Sequence, residues 1–115
     1  MSFIFPPEYR LRTREDFSRL RQAKRFQCQG LVCVYQINQL DHGRLGMAVS
    51  TKFGHSAHRH QLKRYMREVF RQHPVRNISI DILLIPRITA RDMSDPSCRL
   101  LALFNQLSQK FNHHD

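Results

Sequence analysis

Residues 44–72 read RLGMAVSTKFGHSAHRHQLKRYMREVFRQ, and the pattern changes partway from that of a strand to that of a helix. Apolar side chains alternate with small ones over residues 45–50, which predicts a strand. A polar loop follows over residues 51–56. From residue 58 to residue 72, apolar side chains recur at spacings of three and four, which predicts an amphipathic helix. The stretch therefore predicts a strand that leads through a short loop into a helix.

The predicted helix divides into an apolar face and a cationic face. It carries five lysines and arginines against one acid, Glu68, whereas ordinary surface helices interleave the two signs. Like charges one turn apart destabilise a helix, so the pattern indicates a partner rich in phosphate. A solvated charged face is the alternative for any single residue. The apolar face holds Leu62, Tyr65, Met66, Val69 and Phe70, and the cationic face holds His60, Lys63, Arg64, Arg67 and Arg71, with Arg59 at the boundary.

The composition is that of one strongly basic globular domain. With 115 residues and 13.7 kDa, the chain is predicted to form a single domain over residues 1–115. Lysine and arginine outnumber aspartate and glutamate 19 to 9, and the formal net charge is +10. Such a charge favours a polyanionic partner. No apolar run reaches the roughly 20 residues of a spanning helix. The first residues lack a signal-peptide pattern, so we expect a cytoplasmic protein without a membrane partner.

The rest of the chain completes an α+β pattern. A first helix is predicted from Thr13, as its cap, to about residue 21. Residues 31–37 are apolar, β-branched and aromatic, and are predicted to pair with the strand at 45–50 as a hairpin. A third strand is predicted over residues 78–85, and a last helix begins with Asp95 as its cap. The order is α-β-β-α-β-α, which predicts a small two-layer α-β sandwich with helices against a central sheet.

Three stretches of the chain resemble the bacterial ribonuclease P protein family. In residues 44–71 the likeness is specific in spacing: a strand that ends in Val-Ser, a loop with lysine and glycine, and a helix start that reads RHQLKR. Residues 10–17 resemble the family's start, and residues 80–87 resemble its last strand. The chain departs from the family's pattern at His60 and Gln61, where the family has asparagine and arginine.

The resemblance implies a topology, a function and partners. It implies that the β-α-β crossover through the basic helix is left-handed, against the general rule. It also implies the protein subunit of ribonuclease P, in which a catalytic RNA removes the 5′ leader of precursor tRNA by endonucleolytic hydrolysis. Magnesium ions are then held mainly by the RNA, and the protein itself is not the catalyst. The residues implied to bind the catalytic RNA are Arg59, His60, Gln61, Lys63, Arg64, Arg67 and Arg71.

The resemblance further implies a cleft for the single-stranded leader, between the first helix and the sheet. Such a groove needs aromatic rings for base stacking and cations for the phosphates. Without the resemblance, Phe17 is better interpreted as the core anchor of its helix and Tyr35 as a half-buried sheet residue. Where the family has another cleft aromatic, this chain has Arg21. The predicted leader-binding residues are Phe17, Tyr35, Lys52, Arg10 and Arg12.

Other functions fit the sequence less well. His55, His58 and His60 lie close together, but their spacing matches no common zinc site. The nine acids form no obvious nuclease cluster. No docking motif for DNA is visible, so no DNA partner is expected. A structural RNA-binding protein of ribosomal type, without a processing role, shares every compositional feature. Only the loop-helix signature and the cleft aromatics oppose this alternative.

Overall fold

The computed structural model describes residues 6–111, which form a four-stranded mixed sheet and three α-helices. The predicted α+β class is confirmed. Within the described residues, no helix is long and apolar enough to cross a membrane. The elements are α1 (Arg14–Ser18), β1 (Lys24–Cys28), β2 (Leu31–Ile37), β3 (Arg44–Met47), α2 (Ser56–Gln72), β4 (Ile80–Pro86) and α3 (Pro96–Gln109).

The strand order is β1-β2-β4-β3, so the predicted hairpin between β2 and β3 is wrong. Strand β4 lies between them, antiparallel to β2 and parallel to β3. The physical reason is burial: β2 and β4 are long, largely buried strands and take the centre of the sheet, whereas β3 has only four residues and takes an edge. Helix α2 makes the crossover from β3 to β4 that a parallel pair requires. The handedness of this crossover stays a prediction of the resemblance.

Strand β1 was not predicted. It pairs with β2 through a tight turn in which Gln29 and Gly30 both have positive φ, 56° and 84°. A turn of this kind matches the twist of a two-stranded hairpin. The sequence KRFQC hides the strand because it lies at the sheet edge and alternates charged or polar side chains with Phe26 and Cys28.

The two faces of the sheet carry unequal cores. Helices α2 and α3 cover one face, and together with the strands they bury a large cluster that includes Met66, Phe70 and Phe104. The opposite face, which α1 covers only in part, holds a small cluster of Leu11, Leu20, Val32 and Val34. Strand alternation assigns each residue to one face. The thinly covered face is therefore available for a ligand.

The N-terminal caps of α1 and α3 differ in their side-chain hydrogen bonds. Thr13 is the cap of α1 as predicted: its hydroxyl accepts from the amide of Asp16 at 3.0 Å, and the Asp16 carboxylate accepts from the amide of Thr13 in return. Helix α1 ends at Ser18 and continues as a 3-10 turn over Arg19–Gln22. Asp95 precedes α3 as predicted, but its left-handed backbone, φ 53°, leaves its side chain without a capping hydrogen bond.

Candidate nucleic-acid interface

Helix α2 presents three surfaces, one of which is cationic. Leu62, Met66 and Phe70 are buried in the core. A second flank faces α3, where Tyr65 and Val69 line a groove with Leu101. The third flank points away from α3 and carries cations four residues apart, which a helix places on one side. These cations are Lys63, Arg67 and Arg71.

The predicted RNA-binding residues of α2 differ in how far they are exposed. His60, Gln61 and Arg64 are exposed, whereas Lys63 and Arg67 are half-buried. Two other half-buried members have partners within the chain. The Nε of Arg59 donates to the Gly54 carbonyl at 3.3 Å, and Arg71 pairs with Glu68 at 3.1 Å. Arg59 thus ties the loop to the helix. The helix presents far more positive charge than its single acid neutralises.

Arg10, which was predicted for the leader cleft, lies on the same side of the sheet as this cationic surface. It pairs with Leu45 as a parallel bridge, and the next amide, of Leu11, donates to the Leu45 carbonyl at 3.1 Å. Paired residues share a sheet face, and Leu45 belongs to the core under α2, so Arg10 lies on the α2 side. Burial and the nearby Arg10 charge lower the pKa of Arg67. We define the α2 basic surface as Arg10, Arg59, His60, Lys63, Arg64, Arg67 and Arg71.

The opposite face of the sheet forms a groove beside α1. Phe17 stands at its side with 38% of its surface exposed. A cavity of about 750 Å³ extends along the ends of β3 and β4, and its walls include Lys52 and Arg87. Ile85 belongs both to this cavity and to the apolar surface under α1, so the two are continuous. We define the α1-side groove as Phe17, Ala48, Lys52, Leu83, Ile85 and Arg87.

Tyr35 lies on the opposite face of β2 from this groove and lines a separate cavity of about 580 Å³ with Arg19 and Gln22, which follow α1, so its role in leader binding stays a prediction. Its ring packs edge-on against Phe26 at 5.9 Å and Phe111 at 6.0 Å, with the core under α2 and α3. Alternation along β2 places Val34 toward α1 instead, where it is buried. The spacing from the first helix could not fix which strand residues face it. Arg12 is exposed two residues before α1 begins, and Lys52 lines the cavity at the ends of β3 and β4.

A buried ionic network beneath α1 was missed. Arg44 on β3 donates to both oxygens of Asp81 on β4, at 2.9 and 2.8 Å, and its Nη1 lies 3.3 Å from Oδ1 of Asp16 on α1. Asn38 donates to Asp81 as well, at 3.0 Å. A sequence signal existed, because an aspartate inside an apolar strand requires a partner. Its partners are remote in the sequence, so spacing could not identify them.

The Asp16 carboxylate is held in its ionised form. Burial alone raises its pKa, but hydrogen bonds from the amides of Arg12 and Thr13, at 3.0 and 3.1 Å, and the charge of Arg44 outweigh burial. The result is a pKa lowered to about 2. Asp16 therefore carries a full negative charge against Arg44 throughout the neutral range.

The histidines suspected of binding zinc do not form a metal site. The rings of His55 and His58 lie 4.2 Å apart. Within residues 6–111, no three histidine, cysteine, aspartate or glutamate side chains come together in a way that could hold a metal ion.

Comparisons with known proteins agree with one another. Residues 5–112 match the family profile described as Ribonuclease P. The ribonuclease P protein component of Thermotoga maritima is 39% identical over 89 residues, 76% of each chain, and that of Staphylococcus aureus is 35% identical over 88 residues, 75% of this chain and 76% of the relative.

Solved structures of these two proteins share the fold. The Staphylococcus aureus protein superposes with a TM-score of 0.73 at 28% identity, covering 93% of this chain and 98% of that one. The Thermotoga maritima protein gives 0.65 at 31% identity, covering 92% and 97%. With the sequence signature, the mixed sheet and the basic helix all in place, the chain belongs to the ribonuclease P protein family.

Proposed function

We propose that this chain is the protein subunit of ribonuclease P in the bacterial cytoplasm. It binds the catalytic RNA through the α2 basic surface and holds the 5′ leader of precursor tRNA in the α1-side groove, which promotes endonucleolytic removal of the leader. The observation that carries the proposal is the presence of two different nucleic-acid-type surfaces on opposite faces of one sheet. A subunit that joins two RNAs needs two such surfaces.

The α2 basic surface suits a folded RNA backbone. Its cations stand on a helix of 17 residues that is locked to the core by Leu62, Met66 and Phe70, so they form a rigid array. Guanidinium groups bind phosphates bidentately, and each phosphate contact releases condensed counterions. His60 and Gln61 are exposed and can donate hydrogen bonds, but Gln61 supplies no charge where the family has arginine.

The α1-side groove suits a single strand. The exposed ring of Phe17 offers a stacking platform for a base, and Lys52 and Arg87 supply cations for the backbone at the far end. Leu83 and Ile85 give the groove an apolar floor. Because an aromatic ring can stack on any base, we expect binding that is tolerant of sequence. Contact with the leader would raise affinity for the precursor over the mature product.

In this proposal the chemistry belongs to the RNA. Magnesium, held mainly by the RNA, supplies the activation of water and the stabilisation of the leaving oxygen. The described residues of this chain do not gather the donors that such an ion needs. Their part is to bind, to orient the leader, and to neutralise phosphate charge near the cleavage site.

The test is cleavage of precursor tRNA by the cognate catalytic RNA at low magnesium, with and without this protein, over a series of leader lengths. We expect stimulation that grows with leader length until the groove is filled. Tight, salt-sensitive RNA binding without stimulation would favour the alternative of a structural RNA-binding protein. Cleavage by the protein alone would overturn both.

A further inference from the structure

Helix α1 carries the exposed aromatic ring of the α1-side groove but is too short to hold its own orientation. It has five residues, and isolated helices of that length are unstable in water. Its position must therefore come from contacts with the sheet. Leu20, which follows the helix, is buried and gives one such contact. Another is the side chain of Asp16, which is 7% exposed and faces Arg44.

Contacts other than the one with Asp16 already hold the Arg44 side chain in a single orientation. Two of its nitrogens bind the Asp81 carboxylate, and Asp81 is itself held by the Asn38 amide, which also donates to the His42 carbonyl at 3.0 Å. The guanidinium plane is therefore rigid, and its remaining Nη1 points to α1. A lysine at this position keeps the charge but cannot make the forked contact to one carboxylate and reach the second.

Two residues after Arg44, Gly46 provides space for the aromatic ring. A Cβ atom at Gly46 would lie 3.1 Å from Cε1 of Phe17 and 2.9 Å from Cδ1 of Leu11. Phe17 directly follows Asp16 in the chain. One segment of β3 thus anchors α1 through Arg44 and accommodates the neighbouring ring at Gly46.

We infer that Arg44 is a positioning residue for leader binding: by holding Asp16 it orients α1 and keeps the Phe17 ring over Gly46, open to an RNA base. The inference rests on the proposed function of the α1-side groove. Arg44 itself is largely buried beneath α1, with 15% of its side chain exposed, and acts through Phe17.

The experiment uses the assembled holoenzyme and measures how much the leader increases affinity for precursor tRNA over mature tRNA. Arg44→Lys, Phe17→Ala and the double variant are compared, because a double-mutant cycle reveals whether two residues act through one interaction. We expect Arg44→Lys to reduce the leader-dependent gain roughly three- to tenfold, and to add nothing in the Phe17→Ala background. Affinity for the catalytic RNA should change less than about twofold, since the α2 basic surface is untouched.

A second variant and a control separate positioning from general stability. Asp16→Asn is isosteric and removes the charge that Arg44 holds, so it should reproduce the effect of Arg44→Lys. Arg99→Lys is the matched control, because Arg99 also bridges segments, donating to Ser94 and Gln29 carbonyls at 2.6 and 2.8 Å, but away from α1. It should lower the melting temperature and leave the leader-dependent gain unchanged.

The outcomes distinguish the inference from the function on which it rests. If Phe17→Ala lowers the gain but Arg44→Lys does not, or if the two effects add independently, the positioning role is overturned. If the Phe17→Ala holoenzyme instead keeps the full leader-dependent gain, the α1-side groove is not the leader site. A loss of the gain in Arg99→Lys equal to that in Arg44→Lys would show a stability effect only and overturn the inference.

Discussion

The α2 basic surface and the α1-side groove are built in opposite ways. All but one residue of the first come from a single helix, so helical periodicity alone places their side chains together. The second combines residues of α1, of β4 and of the segments that follow β3 and β4, which only the folded sheet brings together. One surface depends on charge and the other on shape. The two should therefore respond differently to salt and to substitution.

The largest effect is expected on the α2 basic surface. Replacing Lys63, Arg64 and Arg67 together by alanine should weaken binding of the catalytic RNA by more than about a hundredfold at 0.1 M salt. The plot of log affinity against log salt should also become less steep, its slope losing roughly two to three in magnitude, about one for each lost phosphate contact. Titration of labelled catalytic RNA at several salt concentrations measures both quantities.

A control variant that loses the same charge from other surfaces tests whether the position of the cations matters for RNA binding. Alanine at Arg76, Arg91 and Lys110 removes three cations from other surfaces. Their loss should leave the salt slope within about one of the parent value, since only general attraction is reduced. Equal slopes for the two triple variants would show that net charge, and not the α2 surface, determines binding.

A smaller and qualitatively different effect is expected for Phe17→Ala. Loss of one base-stacking ring costs about 1–3 kcal/mol, or roughly five- to 150-fold in the affinity gained from the leader. Because stacking releases no counterions, the salt slope of precursor binding should stay the same. Equilibrium binding of precursor and mature tRNA to the holoenzyme provides the measurement. A changed slope with an unchanged leader-dependent gain would contradict the division of roles.

Gly46→Ala should disturb the groove without touching the cationic surface. The new Cβ meets Leu11 and Phe17 at 2.9–3.1 Å, and crowding of this kind costs about 1–3 kcal/mol of stability. We expect a reduced leader-dependent gain and unaltered affinity for the catalytic RNA. Gly54→Ala crowds His58 and Ala90 instead, at 3.1 and 3.3 Å, and serves as the control. Its leader-dependent gain should match the parent's.

The smallest effect is expected on stability at low pH, where Asp16 becomes protonated. The pKa of Asp16 is lowered from its ordinary value of 3.8 to about 2, so its stabilising contribution is complete above pH 4 and is lost as the pH falls toward 2. In Asp16→Asn this part of the pH dependence should vanish. Urea unfolding between pH 2 and pH 6 measures it, with the exposed neighbour variant Glu15→Gln as control. Identical pH profiles for the parent and Asp16→Asn would contradict the ion pair.

Helix limits and helix caps could be predicted from the sequence, because they depend on local periodicity and short-range chemistry. Helix α2 begins at Ser56 and ends at Gln72, within two residues of the prediction, and Thr13 caps α1 as expected. The α+β class followed from the order of elements. Strand partners did not follow, because alternation shows which residues of a strand share a face but not which strand lies beside it.

The site was predicted to the same extent and for the same reason. Helical periodicity groups the α2 cations on one side of the helix, whereas the sheet face on which Tyr35 and Arg10 lie could not be predicted, because strand parity relative to α1 depends on the tertiary fold. Arg44 and Asp81 were not identified as a pair, since they lie 37 residues apart in the chain. Contacts of that range are fixed by strand pairing, which spacing does not show.

The proposed function requires that two RNAs occupy opposite faces of one sheet. A photo-crosslinking amino acid placed at Ala48 in the groove, or at Arg64 on α2, tests it directly in the holoenzyme bound to precursor tRNA. We predict that position 48 crosslinks to the 5′ leader and position 64 to the catalytic RNA. Crosslinking of both positions to the same RNA, or of position 48 to neither, would contradict this arrangement.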